Sequence, residues 1–317
     1  MRKTANENSV VLALGGGGAR GLAHIGVLQV LAEEGIRVRA IAGTSVGAEI
    51  GALFASGMPL PELLDIATTF DWKQTLQLFL PDLPSGGLVS GKKVMDFLNQ
   101  KMGGRVIENL DIGYAAIAAD LETGEQVVLD RGSLVDVVRA SISVPGIFSP
   151  YFLDGRYFID GGVVNPLPFD VARERFGGPV LAVAAHSGAR AFTKREMQPV
   201  RAHQWEDRVN QLLQQPWIGP VEGLRQWLQD LLDSHHSNGE RLVQPTWRAR
   251  QVLDQVMAIM QAQNVQLRST ISAPDVMLVP DVSSIDSFEF YRGAEALAAG
   301  RAAAEAALPA IVKCLGR

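Results

Sequence analysis

Short apolar runs alternate with helical segments along the first sixty residues of this 317-residue chain. Residues 10–14 are apolar and stop at four consecutive glycines, which is typical of a buried strand that ends in a loop. Residues 22–35 then repeat apolar side chains at helical spacing and finish on a glycine, as a capped helix does. A second strand is predicted at residues 38–42 and a second helix at residues 46–56. Because this order needs crossover connections between parallel strands, the pattern indicates an α/β fold with a central, mostly parallel sheet.

The later segments continue this pattern. Residues 112–130 are predicted to form two strands around a turn, and residues 151–160 a hairpin with an Asp-Gly turn. Buried strands are predicted at residues 180–184 and 276–279, and an alanine-rich helix closes the chain. We therefore expect a single domain over residues 8–317.

Residues 186–272 interrupt the strand–helix rhythm. They hold four of the five tryptophans and few strand-like runs, so we interpret them as a mainly helical insertion between two core strands. Residues 221–233 place apolar side chains on one helical face. That face is compatible with a helix packed in a core, with a lid or membrane-facing element, or with a subunit interface of an oligomer.

Composition excludes several classes of protein. A net charge of −5 gives no reason to expect a nucleic-acid partner. No stretch reaches the roughly 20 apolar residues of a membrane span, and the single cysteine, Cys314, fits a reducing compartment. No set of potential ligands has metal spacing, so neither a metal nor another cofactor is expected. We expect a cytoplasmic protein, with peripheral contact to the inner membrane face left open.

The glycine-rich stretch GGGGARG, residues 15–21, follows the first strand and opens the first helix. Gly16, Gly18 and Gly21 satisfy the G-x-G-x-x-G pattern of dinucleotide-binding folds. Such folds also need an acidic residue near the end of the second strand, and here that strand ends at a serine elbow instead. A Walker P-loop is excluded because no Gly-Lys-Ser or Gly-Lys-Thr follows.

The same loop could stabilise an oxyanion. Successive glycine amides that point at one spot, next to a helix N-terminus, bind developing negative charge. We therefore predict the amides of Gly16, Gly17 and Gly18 as oxyanion donors. Arg20 could either order this loop or meet a phosphate head group, and His24 is predicted to be a packed or capping side chain.

Residues 43–47, GTSVG, form a Gly-x-Ser-x-Gly pattern that exposes Ser45 on a sharp strand-to-helix turn. A serine hydroxyl is a weak nucleophile and needs a base beside it. The histidines that could complete a triad all lie at the edge of the insertion or within it: His186, His203, His235 and His236.

Carboxylates offer another base. Asp160 ends a predicted hairpin strand and precedes Gly161 and Gly162, which permit close approach of another element. Asp120, also after a strand, is the rival acid, although it is more simply explained as the start of a turn. A turn position would equally explain Asp160 by itself, so these residues alone leave the identity of the base open.

Four motifs, in order, resemble those of the patatin-like phospholipase family. They are the glycine loop at residues 15–21, the elbow at 43–47, the segment ASISVPGIFSP at 140–150, and Asp-Gly-Gly at 160–162. The resemblance implies a three-layer α/β/α fold and a Ser45–Asp160 dyad without histidine. It also assigns supporting positions to Arg20, Gly43, Gly47, Gly161 and Gly162.

The expected function is that of a serine lipid acyl hydrolase. The resemblance implies hydrolysis of fatty-acyl esters such as phospholipids through an acyl-serine intermediate, without a metal. Two alternatives use the same features: an acyltransferase with the same dyad, and a non-catalytic lipid-binding regulatory protein.

Overall fold

A computed structural model of the protein describes residues 8–69, 91–185 and 249–316. The chain divides into two compact units, one made of residues 1–189 and 256–317 and the other of residues 190–255. In the second unit, the described residues are the first turns of a long helix. The expectation of one domain with an insertion at about 186–272 stays a prediction, because residues 186–248 lie outside the described ranges.

Eight strands in the described part of the chain form one sheet. They are β1 (Ser9–Leu14), β2 (Arg37–Thr44), β3 (Gly113–Asp120), β4 (Gln126–Leu129), β5 (Tyr151–Leu153), β6 (Arg156–Asp160), β7 (Val180–Val183) and β8 (Val276–Leu278). The order across the sheet is β5-β6-β3-β2-β1-β7-β8, and β4 also pairs with β3. Strands β8, β7, β1, β2 and β3 are parallel neighbours, whereas the β5–β6 hairpin and β4 join the β3 edge in antiparallel pairings.

Helices connect and cover these strands. They are α1 (Ala23–Glu33), α2 (Val46–Ala55), α3 (Leu60–Thr69), α4 (Lys92–Met102), α5 (Leu134–Ser141), α6 (Phe169–Phe176), α7 (Ala249–Ile271) and α8 (Gly293–Cys314). Short 3₁₀ turns lie at Gly18–Leu22, Ile107–Asn109, Gly161–Val163 and Phe290–Arg292. None of the helices in the three described ranges combines the length and the hydrophobicity that crossing a bilayer requires.

The sheet is covered on both faces, and β1 illustrates the cause. Its side chains alternate, so Leu12 and Leu14 join a hydrophobic cluster with α1, α2 and α8, whereas Val11 and Ala13 join a second cluster with α6. Every residue of β1 is buried. A strand that is apolar at every position is expected where helices cover both faces of a parallel sheet.

The prediction of a three-layer α/β/α fold with a mostly parallel sheet is confirmed. The predicted strand at residues 10–14 becomes β1, the strand at 38–42 becomes part of β2, and the helix at 46–56 becomes α2. Four helices, α3 to α6, were not predicted from the pattern. Each of these helices is only 8 to 11 residues long, although its apolar residues do recur at helical spacing.

Candidate active site

Ser45 follows β2 and occupies the N-cap position of α2, where its side chain makes no capping hydrogen bond. Its φ of 55° and ψ of −127° put a non-glycine residue in a sparsely populated conformation, which occurs where surrounding structure enforces it. Glycines on both sides allow this sharp turn. A side chain at Gly47 would collide with the Leu14 carbonyl, and one at Gly43 would come within 2.5 Å of the Ala48 Cα. The elbow therefore needs both glycines because helix and sheet approach so closely.

The glycine loop lies beside Ser45. Strands β1 and β2 are parallel neighbours, so the loop after β1 and the elbow after β2 emerge at the same edge of the sheet. A Cβ atom built on Gly16 would be 3.3 Å from the Ser45 Cβ. The loop thus lies directly beside the serine, where a loop that binds an oxyanion has to lie.

Two of the three amides predicted to stabilise an oxyanion are not engaged in main-chain hydrogen bonds of the described residues. The Gly16 amide donates to the Pro166 carbonyl at 3.0 Å, so it is engaged in the fold. The amides of Gly17 and Gly18 donate to no main-chain acceptor among the described residues. Gly18 has a φ of 60°, and a side chain there would collide with the Ser287 carbonyl. The prediction of oxyanion donors therefore narrows to Gly17 and Gly18.

Contacts from the later part of the chain hold this loop. The Ala19 amide donates to the Ser287 carbonyl at 2.9 Å, and Arg20 Nε donates to the Ile285 carbonyl at 2.7 Å. The contact with Ile285 agrees with the first of the two roles considered for Arg20, which is to order the loop. The neutral His24 ring lies under the loop and donates from Nε2 to the Gly15 carbonyl at 2.8 Å.

His24 is a packed side chain, as its position on the first helix predicted. Its ring is fully buried, and burial lowers its pKa to about 4, while the hydrogen bond with Gly15 acts in the opposite direction. The imidazole is therefore neutral at physiological pH and supports the loop.

Asp160 is brought to Ser45 by the strand between them. Ala118 of β3 pairs with Asp160 of β6, while Ile117 of β3 pairs with Thr44, the residue before Ser45. The hairpin can lie this close because Gly161 has no side chain to strike the Ile117 carbonyl. Two residues separated by 115 positions in sequence thus meet beside Ile117 and Ala118 of β3.

Asp160 is 4% exposed, and the two oxygens of its carboxylate have different surroundings. Its Oδ1 accepts a hydrogen bond from the Gly162 amide at 2.6 Å. Its Oδ2 is buried and has no partner of normal hydrogen-bond geometry in the described structure. A buried acceptor without a partner is unusual, because leaving it unsatisfied is unfavourable, and such atoms often have a functional role.

Burial raises the pKa of Asp160 from its ordinary value of 3.8 to about 6. Interaction with the Ser45 side chain and the Gly162 amide acts in the opposite direction, since both favour the carboxylate. The serine hydroxyl is therefore close enough to influence the acid although it makes no well-aligned bond to Oδ2. Contacts of this kind often tighten only when substrate binds. A carboxylate with this pKa is mostly ionised at neutral pH and is chemically able to accept a proton.

Asp120 has the opposite environment. Its Oδ1 accepts hydrogen bonds from the amides of Glu122 and Thr123 at 2.9 and 3.1 Å, and Arg156 lies 3.7 Å from Oδ2. The Thr123 amide is the largest cause that holds the pKa of Asp120 below its usual value, and the Glu122 amide and Arg156 add to it. The Asp120 carboxylate thus starts a turn. These contacts lower its affinity for a proton, whereas a general base needs a raised one.

Two further residues, which were not among the candidates named from the sequence, adjoin Ser45 and Asp160. Ser141, at the end of α5, accepts a hydrogen bond from the Ser45 amide at 3.0 Å. Gln261 of α7 faces Asp160 across Gly162, since a Cβ on Gly162 would be 2.8 Å from Gln261 Nε2 and 2.9 Å from Asp160 Oδ1. Ser141 belongs to the recognised segment at 140–150, but no sequence signal points to Gln261.

The histidines considered as alternatives for a triad lie outside the described residues, as does the predicted helix at 221–233; they are His186, His203, His235 and His236. Among the described side chains, no group of three or more His, Cys, Asp or Glu residues is arranged to hold a metal ion.

The model of the family described as patatin-like phospholipase matches residues 12–173, just over half of the chain. The chain belongs to the patatin-like phospholipase family. The matched range contains the glycine loop, the elbow, the 140–150 segment and the Asp-Gly-Gly motif, so the family match and the geometry concern the same residues.

Relatives in this family include bacterial and animal proteins. An NTE family protein of Mycobacterium bovis is 38% identical over 200 residues, which are 63% of this chain and 55% of the relative. The neuropathy target esterase sws of Drosophila melanogaster is 36% identical over 181 residues, which are 56% of this chain and 13% of that protein. This chain thus spans about half the length of the mycobacterial relative and a small part of the fly protein.

One solved structure to which this chain shows some similarity is that of VipD from Legionella pneumophila. It is 15% identical, with a TM-score of 0.37, and the match covers 92% of this chain and 74% of VipD.

Proposed function

We propose that this protein is a serine lipid acyl hydrolase that cleaves fatty-acyl esters with a Ser45–Asp160 dyad. The observation that carries the proposal is the pairing of a serine on an enforced elbow with a buried carboxylate that has a free oxygen and a raised pKa. A structural turn aspartate would have its oxygens satisfied and its pKa lowered, as Asp120 does.

In the acylation step, Ser45 Oγ attacks the ester carbonyl while Asp160 Oδ2 takes the hydroxyl proton. The amides of Gly17 and Gly18 stabilise the negative charge on the carbonyl oxygen, and each such donor typically contributes about 3 to 4 kcal/mol. The carbon–oxygen bond to the leaving alcohol then breaks, and Asp160 returns the proton to that alcohol.

In the deacylation step, Asp160 removes a proton from a water molecule that attacks the acyl-serine. The tetrahedral intermediate collapses to the free fatty acid, and the proton passes back to Ser45 Oγ. The same carboxylate acts as base and then acid in each half, which requires a pKa near the working pH. The value of about 6 meets this requirement.

Family membership supports lipid esters as the substrate class, and one relative is named an esterase. A panel of acyl esters tests this: a soluble p-nitrophenyl butyrate, a lysophospholipid and a diacyl phospholipid in vesicles. Ser45→Ala and Asp160→Asn should each lower kcat by at least about 100-fold on every ester that the wild type cleaves. Because the dyad acts as a unit, the double variant should lose no more than either single one.

Asp120→Asn is the matched control, since it removes a carboxylate at the end of the neighbouring strand. Its activity should stay within about tenfold of wild type. Loss of activity in Asp120→Asn with retention in Asp160→Asn would move the base to Asp120. Retention in Ser45→Ala would reject the serine mechanism. Product analysis in the presence of an alcohol distinguishes hydrolysis from acyl transfer.

A further inference from the structure

The segment at residues 140–150 is the one recognised motif that the two-step mechanism leaves without a role. It begins at the end of α5, and its first residues contact the main chain of both dyad members. Ser141 Oγ accepts the Ser45 amide at 3.0 Å, and the Ser143 carbonyl accepts the Asp160 amide at 2.9 Å. Two residues of one short segment thus touch the nucleophile and the base.

The Ser141 hydroxyl forms a bridge. While it accepts from the Ser45 amide, it donates to the Ile117 carbonyl of β3 at 2.6 Å. That carbonyl is also the atom against which Gly161 packs, next to Asp160. The hydroxyl therefore ties the Ser45 elbow to Ile117 of β3. The β5–β6 hairpin, which ends in Asp160, packs against the same Ile117 carbonyl through Gly161.

The segment is itself held rigidly. Ser141 and Ser143 are fully buried, and Arg139, 2% exposed, donates from Nη1 to Ser143 Oγ at 2.7 Å. The Arg139 guanidinium also lies 5.2 Å from the ring centre of Phe148 and 5.2 Å from that of Tyr151. A buried guanidinium that bonds to a serine and packs on two rings leaves little freedom to the chain around it.

We propose that Ser141 is a positioning residue whose hydroxyl holds the Ser45 amide so that the nucleophile stays aligned with Asp160. The inference rests on the proposed dyad mechanism. Its physical basis is the φ of 55° at Ser45, a conformation that persists only where surrounding contacts enforce it. Without the bridge, the Ser45 amide loses its acceptor and the elbow can relax, which moves Oγ away from the carboxylate and the oxyanion amides.

The test compares Ser141→Ala, Ser141→Cys and wild type on a soluble p-nitrophenyl ester. We expect Ser141→Ala to lower kcat about 10- to 100-fold with KM within about twofold, because a misplacement near 1 Å can cost about 100-fold. Ser141→Cys keeps nearly the same volume but offers only a weak donor and acceptor, so its loss should be intermediate. Labelling of Ser45 by a fluorophosphonate should slow in parallel with kcat.

Ser56→Ala is the control for a merely structural effect. Ser56 is a buried serine at the other end of α2, and its hydroxyl donates to the Leu53 carbonyl at 2.7 Å. This variant should lower the Tm but leave kcat and the labelling rate unchanged.

A folded Ser141→Ala variant with the kcat of wild type, or with no larger loss than Ser56→Ala, would overturn the proposal. If Ser141→Ala does not fold, the test rests on Ser141→Cys. A wild-type kcat and labelling rate in Ser141→Cys would then overturn the proposal. Ser45→Ala is measured in parallel, since activity in that variant would reject the dyad mechanism itself. An inactive Ser45→Ala together with a fully active Ser141→Cys would reject the positioning role alone.

Discussion

Substitution of Asp160 by asparagine is expected to raise the stability of the folded protein at neutral pH while it removes activity. The buried carboxylate has a pKa of about 6 because burial disfavours its charge. Above that pH the folded protein must hold an ionised group with one unpartnered oxygen. An asparagine amide has nearly the same shape and no charge, and its oxygen can still accept from the Gly162 amide.

The expected magnitude follows from linkage. A pKa that rises from 3.8 in the unfolded chain to about 6 in the folded protein corresponds to roughly 3 kcal/mol of unfavourable charge burial, at 1.36 kcal/mol per pKa unit. Because the folded-state pKa is the higher one, the protonated acid stabilises the fold fully below pH 3.8, and this contribution is lost as the pH rises through about 6. The Asp160→Asn variant would not lose it, so it should gain up to about 3 kcal/mol over wild type at pH 8.

The measurement is the free energy of unfolding in urea for wild type and Asp160→Asn at pH 4, 6 and 8. The difference between them should be smallest at pH 4 and largest at pH 8, where Tm should rise by several degrees. Asp154→Asn is the control, since it removes one negative charge at the exposed hairpin turn. It corrects for the general effect of net charge.

A stability difference that does not grow between pH 4 and pH 8, after the Asp154→Asn correction, would refute the assignment of a raised pKa to Asp160. A variant less stable than wild type at pH 8 would show that the carboxylate makes interactions that outweigh its burial.

Three other results should follow. The kcat/KM for a soluble ester should rise with pH through about 6, because Asp160 must be ionised to accept the proton; a flat profile from pH 5 to 8 would assign the base elsewhere. Burial alone raises the pKa of Glu49 from 4.5 to about 7. Glu49 is most favourable to folding below pH 4.5, and this contribution is lost as the pH rises through about 7. Glu49→Gln should therefore stabilise the protein at pH 8 but not at pH 4. The measurement is the urea midpoint of variant and wild type at each pH, and equal midpoints for the two proteins at both pH values would contradict the prediction. Gly47→Ala should destabilise the fold by at least about 1 to 3 kcal/mol, since its methyl group meets the Leu14 carbonyl; thermal melts test it, and a wild-type Tm would be inconsistent with the close packing of the elbow.

Local signals were sufficient for the frame of the fold. The apolar run of β1, the glycines after it and the helical spacing of α1 are all properties of neighbouring residues, so the sequence displays them directly. The same holds for Ser45, whose flanking glycines reveal the turn that exposes it. Asp160 was different, because a turn aspartate and a buried base have the same local sequence. The resemblance of four ordered motifs to those of one family is what favours the base as the proposal.

The remaining site features depend on contacts between distant residues. Gly16 has the same local sequence as Gly17 and Gly18, yet its amide is occupied by a carbonyl 150 positions later, at Pro166. Gln261 reaches the neighbourhood of Asp160 from a helix that no motif covers. Contacts between residues this far apart in sequence become predictable only once the fold is known.

The attachment of the glycine loop to residues 285–287 also has a consequence for biosynthesis. A ribosome completes Ser45 and Asp160 long before it reaches Ile285 and Ser287, whose carbonyls hold Arg20 and the Ala19 amide. A nascent chain that already contains both dyad residues therefore lacks the contacts that shape its oxyanion loop. We expect the emerging polypeptide to be a poor esterase until these late residues have folded onto its beginning. The proposed esterase activity would then arise late in synthesis, once residues 285–287 have left the ribosome and contacted the loop.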